Sequence, residues 1–122
     1  MTRAYYDSKP SAFEAVGNGN YLYRWDIQEE LIERGEEMNS VTQYSCYEVT
    51  ISGDPTYEKC VGAVIRSQYS EDEELAMINK FNSYHNNIIE DDSIVDEYKA
   101  YLQFVADTKS QVKSVLGIGF NL

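Results

Sequence analysis

The stretch Tyr21-Leu22-Tyr23-Arg24-Trp25-Asp26-Ile27-Gln28 decides the fold class. Side chains of a strand point alternately to its two faces. Here one face collects Tyr21, Tyr23, Trp25 and Ile27, while the other carries Arg24, Asp26 and Gln28 beside Leu22. That alternation, in residues that favour extended backbone, predicts a half-buried strand with an aromatic core face. The preceding Gly17-Asn18-Gly19-Asn20 tolerates positive φ and so reverses the chain tightly, which lets a strand near Ser11 to Val16 pair across the turn. Downstream, Val41-Thr42-Gln43-Tyr44-Ser45-Cys46-Tyr47-Glu48-Val49-Thr50-Ile51 is again β-rich. Its apolar residues fall on both sides, so both faces are expected to be covered. Between the two runs, Glu29, Glu30, Glu33, Glu36 and Glu37 surround Gly35, a charge density that predicts a solvated, mobile loop from Glu29 to Ser40.

At Gly53-Asp54-Pro55-Thr56 the apolar period changes from two to 3.6. Asp54 is the expected cap and Pro55 the first residue of a helix reaching about Ser67, with Tyr57, Cys60, Val61, Val64 and Ile65 on its inner stripe. Ser70-Glu71-Asp72-Glu73 matches the capping-box pattern and opens a second helix, whose stripe is Leu75, Ile78, Phe81 and Tyr84 or His85, ending near Ile88. Asp92 or Ser93 caps a third helix carrying Ile94, Val95, Tyr98, Tyr101, Leu102, Val105, Val112, Val115 and Leu116. Gly117 stops it, and Phe120-Asn121-Leu122 forms a tail. The expected architecture is therefore α+β: an N-terminal antiparallel β-hairpin or three-stranded meander followed by two to three α-helices. The chain reads as a single domain over 1–122, β-rich over 1–53 and helical over 54–122.

The 122 residues include 10 basic and 21 acidic side chains, for a formal net charge of -11, with 13% aromatic residues. A chain of this length buries about two thirds of its unfolded surface and supports a core without metal or disulfide staples. Its aromatic content separates it from acidic disordered tails. Sequence-independent binding to nucleic acid draws its affinity from Lys and Arg, so a charge of -11 excludes it. No apolar run approaches the roughly 20 residues of a spanning helix, and the opening Met1-Thr2-Arg3-Ala4-Tyr5-Tyr6-Asp7 has no signal-peptide core. No membrane partner is expected, and the location read from the sequence is cytoplasmic. Cys46 and Cys60 are too few and too far apart for a disulfide framework and read as buried free thiols.

No catalytic, cofactor-binding or metal-binding set assembles along the chain. His85 is the only histidine and has no second ligand or nucleophile near it in sequence, so it reads as an imidazole on the rim of the core. Glu90-Asp91-Asp92-Ser93-Ile94-Val95-Asp96-Glu97 fails the calcium-loop register, lacking the turning Gly and the alternating ligands. The acids at Glu71 to Glu74 and at Glu90 to Asp92 suit helix starts, each exposed group contributing about 0.3–1 kcal/mol there. Gly17-Asn18-Gly19 lacks the Lys and Ser or Thr of a phosphate loop. On the third helix, Tyr98, Tyr101, Val105 and Val112 are the candidate partner-binding residues. Their heptad-like spacing fits packing within the chain or a seam between copies, leaving a homo-oligomer open. The expected protein is therefore not an enzyme.

The segments Tyr5-Tyr6-Asp7-Ser8-Lys9-Pro10-Ser11-Ala12-Phe13, Gly17 to Ile27 and Gln43-Tyr44-Ser45-Cys46-Tyr47-Glu48-Val49 resemble recurrent segments of small uncharacterised proteins encoded in prophages of gut anaerobes. Ala63-Val64-Ile65, Leu75 to Asn82 and Tyr98 to Phe104 fall in the same order, so the resemblance spans nearly the whole chain. The third helix is also loosely similar to the C-terminal helix of phage tail-fibre assembly proteins. The resemblance implies a context near tail and structural genes, a phage structural component as partner, and virion association besides the host cytoplasm. It transfers no catalytic residue. The function expected is a non-enzymatic phage accessory protein that binds another protein in tail assembly or structure. The alternative is an acidic inhibitor that presents carboxylates in place of phosphates to a host enzyme, which needs Glu71–Glu74 and Glu90–Asp92 to form one surface stripe.

Overall fold

The computed structural model describes residues 2–34 and 39–117. The centre of the expected loop, 35–38, and the expected tail after Gly117 lie outside them. The elements in chain order are β1 (Ala4–Tyr6), β2 (Phe13–Gly17), β3 (Asn20–Arg34), β4 (Asn39–Ser52), α1 (Tyr57–Gln68), α2 (Glu71–His85) and α3 (Ser93–Leu116). The fold is α+β, an antiparallel four-stranded sheet followed by three helices. The chain divides into two compact units, Met1–Ala63 and Val64–Leu122, with the boundary inside α1.

The sheet has the order β1-β4-β3-β2. β2, β3 and β4 form the expected meander, and β1 is an additional strand on the free side of β4, pairing Ala4 with Cys46 and Tyr6 with Tyr44. The β2–β3 turn follows its residue types: Asn18 and Gly19 both take positive φ, 55° and 74°, the geometry whose twist matches a two-residue hairpin. β3 and β4 are far longer than their alternating runs. The expected loop from Glu29 is strand as far as Arg34, and Ser40 and Asn39 belong to β4, with Leu31 opposite Thr42 and Ile32 opposite Val41. Charge density marked this segment as loop, but a ribbon exposed on both faces carries charge without burying it.

The alternation of β3 breaks at Asp26. Trp25 pairs with Tyr47 and Gln28 with Ser45, so β3 holds one extra residue there. Gln28 consequently shares the face of Trp25 instead of opposing it. Asp26 takes φ 53°, and Arg3 holds it with one nitrogen 2.8 Å from its carboxylate and another 2.7 Å from its carbonyl oxygen. Before the bulge the aromatic face forms as expected. Phe13 stacks on Tyr23 at 5.1 Å, Tyr23 on Trp25 at 5.5 Å, and Trp25 meets Tyr47 at 5.7 Å. Tyr23, Ile51 and Cys60 are buried, so the first turns of α1 share this core. Full burial of a side chain such as Ile51 stabilises by about 1.5–3 kcal/mol.

The opposite face departs from expectation, for Arg24 is only 2% exposed. β1 and β2 lie on opposite edges of the β3–β4 hairpin, so the segment joining them must cross it. That segment supplies the Ser11 carbonyl, 3.2 Å from the Arg24 guanidinium, and the Ala12 carbonyl, which accepts the Arg24 backbone N–H. Glu14 lies 2.7 Å and Glu48 3.1 Å from the same guanidinium, the Tyr6 hydroxyl accepts from it at 3.1 Å, and the Tyr6 ring lies against it. Tyr6 in turn donates to Glu48. Burial opposes the charge of Arg24, but these acceptors outweigh it and hold its pKa above the usual arginine value.

The helices begin and end close to their signals. Thr56, not Asp54, caps α1, its hydroxyl accepting from the Lys59 N–H at 3.3 Å, and the helix starts after Pro55. Ser70 caps α2 as expected. At α3 neither Asp92 nor Ser93 caps through its side chain; the Asp91 carboxylate accepts from the Ser93 N–H and hydroxyl instead. Gly117, at φ 73°, closes α3 and donates to the Lys113 and Ser114 carbonyls. Replacing Arg24 with Ala strips Glu48 and Tyr6 of their buried cation and leaves a void among the strands. Urea unfolding should show a loss of about 3–5 kcal/mol, and an effect within the scatter of surface substitutions would refute this account of Arg24.

Candidate functional site

Two places in the molecule bear on function, one in each unit, and the one in the second unit gathers the residues singled out from sequence. In the second, the spacing of Ile94, Tyr98, Tyr101, Val105, Thr108 and Val112 gives α3 an apolar seam, and Thr108 is buried within it. Tyr98 stacks on Phe81 of α2 at 4.4 Å, and Tyr101 receives the edge of Tyr69 at 5.2 Å. On the α2 side, Ile78, Phe81 and Tyr84 of the expected stripe are half-buried, while Met77 is buried at 3% and Leu75, expected inside, is 59% exposed. Glu74 takes the place assigned to Leu75, because Arg66 lies 3.0 Å from its carboxylate and Tyr101 donates to it. Of the four candidate partner residues, Tyr101 and Val112 are buried, while Tyr98 and Val105 are half-buried. They are brought together as packing within the chain.

His85 is exposed and stacks on Phe81 at 6.2 Å between centroids. With Tyr84, Asn87, Ile89, Glu90 and Asp92 it lines an open recess of about 290 Å³. Of the two acids of that recess, Asp92 is engaged, accepting from the Tyr84 hydroxyl at 2.7 Å. Among the described residues no group of three or more His, Cys, Asp or Glu could hold a metal ion. The two acidic runs lie towards opposite ends of α2, a helix of 15 residues and about 22 Å, with exposed Lys80 between them in sequence. Cys46 and Cys60 are free and buried, and burial pushes both thiols up from their ordinary pKa. No helix among the described residues is long and apolar enough to cross a membrane.

The other place was missed in sequence. β2 accompanies β3 only as far as Arg24, and β1 accompanies β4 only as far as Tyr44. Beyond those points β3 and β4 continue as a two-stranded arm, and among the described residues no other strand pairs with it. The arm carries Leu31 at 73% exposure and Val41 at 36%, amid Glu29 and Glu30. Leu31 and Ile32 are adjacent within the acidic run, an apolar pair that a solvated loop does not need and that could have signalled the arm. Isolated two-stranded ribbons are marginal in water, so an arm of this kind gains from contact along its faces or edges. Comparison with protein-family models, with curated proteins and with solved structures finds no match.

The buried hydroxyls give each unit an optical probe. Burial pushes Tyr23 up to about 12, its oxygen having no hydrogen-bond partner among the described residues. Burial, with its bond to Glu74, also pushes Tyr101 up to about 12. An unfolded tyrosine ionises near 10, so the folded chain retains protons that the unfolded chain releases between those values. The stability linked to both groups is complete below pH 10 and falls as pH rises toward 12. Absorbance titration should show Tyr23 and Tyr101 among the last tyrosines to ionise, in step with alkaline loss of stability, and the Tyr23→Phe, Tyr101→Phe pair should remove the part of the late phase that they contribute. Early titration of all eleven tyrosines would contradict the burial described.

Proposed function

We propose that the chain is a non-enzymatic phage or prophage accessory protein that binds another protein in tail assembly or structure, in the host cytoplasm and on the virion. The phage context comes from the sequence resemblance. The observation that supports binding as the mode of action is the arm: a paired ribbon beyond both outer strands, with Leu31 73% exposed. Exposing a leucine forgoes roughly 1.5–3 kcal/mol of burial, which a partner surface supplies on docking. The α3 residues Tyr98 and Tyr101 then act by holding α3 on α2, while Val112 is buried and Val105 half-buried along the same helix.

The test is recovery of partners by the tagged full chain from prophage-carrying cells, in low and high salt, with the Leu31→Ser chain alongside. A tail or virion protein retained in high salt and lost with Leu31→Ser is the expected result. Recovery confined to a host nucleic-acid enzyme, released as salt rises, would favour the phosphate-mimic alternative, because screening weakens exposed charge contacts first. Recovery of no virion component would count against the assembly role.

A further inference from the structure

We propose that the outer edge of β4 between Asn39 and Gln43 receives a basic, extended segment of a partner protein as a fifth strand, continuing the line of β1. This rests on the reading of the arm as a binding element and names its occupant. The direction of the backbone groups comes first. The Arg24 N–H faces β2, where it donates to Ala12. Successive residues in a strand turn their N–H and C=O to opposite sides, so Tyr23 and Trp25 face β4 and pair with Val49 and Tyr47. On β4 the odd-numbered residues therefore face β3 and the even-numbered ones face outward. Cys46 and Tyr44 meet Ala4 and Tyr6 of β1. Thr42 is the next in that row, and no strand lies beside it among the described residues.

The two free edges of the arm differ in charge. From Gln28 to Arg34, β3 carries Glu29, Glu30, Glu33 and Arg34, whereas Asn39-Ser40-Val41-Thr42-Gln43 has no charged residue. Charged side chains guard an edge against pairing, and the β4 edge has no such guard. What selects its occupant lies one strand further in, where Glu29 is opposite Tyr44 and Glu30 opposite Gln43. Arg3, immediately before β1, already shows the required reach. It donates to Ser45 at 3.1 Å, lies 4.6 Å from the centre of the Tyr47 ring and ends on Asp26 of β3. A Lys or Arg on a strand continuing that line crosses β4 on the same face and meets Glu30, whose carboxylate already accepts from the Ser45 hydroxyl at 3.1 Å. A second copy of this chain, at a net charge of -11, brings like charge to the same place.

The experiment uses the isotope-labelled full chain and a fluorescent peptide of about eight residues alternating Lys with Val, a typical strand length. Its controls replace every Lys with Glu, or one central Val with Pro. The Lys–Val peptide should bind and slow amide exchange at Thr42, and the two controls should not. Thr42→Pro removes only an outward donor and should weaken binding by about tenfold or more, as should Glu30→Lys, which leaves the backbone intact. Peptide contacts on the β3 edge from Ile27 to Ile32 would overturn the assignment to β4 while leaving the arm as the binding element. Equal binding of the Pro-containing peptide would reduce the contact to charge alone and overturn strand addition. Absence of any contact between Gln28 and Tyr44 would overturn this proposal and the arm reading together. A concentration-dependent dimer abolished by Thr42→Pro would show that the edge belongs to a second copy.

Discussion

The first unit depends on one buried cation. Arg24 lies on β3, yet its guanidinium is bound by Glu14 of β2, Glu48 of β4, the Tyr6 hydroxyl of β1 and the Ser11 carbonyl of the crossing segment. A buried charge is costly unless every partner is in place, so this site forms only when all four strands and the crossover have assembled. Aromatic stacking on the opposite face supplies the apolar burial, but it does not by itself define which strand takes which edge. The Arg24 contacts do, because they require β1 and β2 to approach the hairpin from opposite sides.

That requirement also explains where the regular sheet stops. β1 and β2 are short, three and five residues: β2 pairs with β3 up to Tyr23, and β1 pairs with β4 from Cys46 to Tyr44, beside the Asp26 bulge. Immediately beyond the Arg24 site Asp26 adds a residue to β3 and bends the strand, with Arg3 fixing the bend from across β4. Past Glu29 and Tyr44, where β1 ends, the hairpin runs on alone. A four-stranded base held by a satisfied buried charge thus carries a two-stranded arm with unpaired edges, stable support beneath an element that has backbone groups to offer. The second unit is organised separately, by the stacked seam of α2 and α3 and by Arg66 and Tyr101 on Glu74.

Signals that impose a local backbone requirement were legible in the sequence. Asn18-Gly19 could reverse the strand because both accept positive φ, Ser70 could cap because Glu73 follows at the right spacing, and Gly117 could end α3 in the left-handed region. Features set by distant partners were not. β1 is three residues whose partners lie some forty positions away, and nothing local distinguishes it from loop. Arg24 reads as a solvent-facing residue until Tyr6, Glu14 and Glu48 converge on it. The bulge at Asp26 leaves an ordinary alternating pattern, and only its register with β4 shows the extra residue. Leu75 departs from the expected α2 stripe for the same reason, since Glu74 turns inward to meet Arg66 and Tyr101 while Leu75 stays exposed. The arm was hidden by composition, as its glutamates are those of a loop.

The division of the sheet into a base locked by Arg24 and an arm that opens independently is tested most directly by native-state amide hydrogen exchange along β3 and β4. The account predicts that Tyr23, Trp25, Tyr47 and Val49, which face one another at the Arg24 level, exchange only through global unfolding. Ile32 and Val41, paired within the arm, should exchange through local opening at a markedly lower free energy. Equal protection from Tyr21 to Ile32, with no step at the bulge, would show that base and arm are one cooperative structure and would contradict the account.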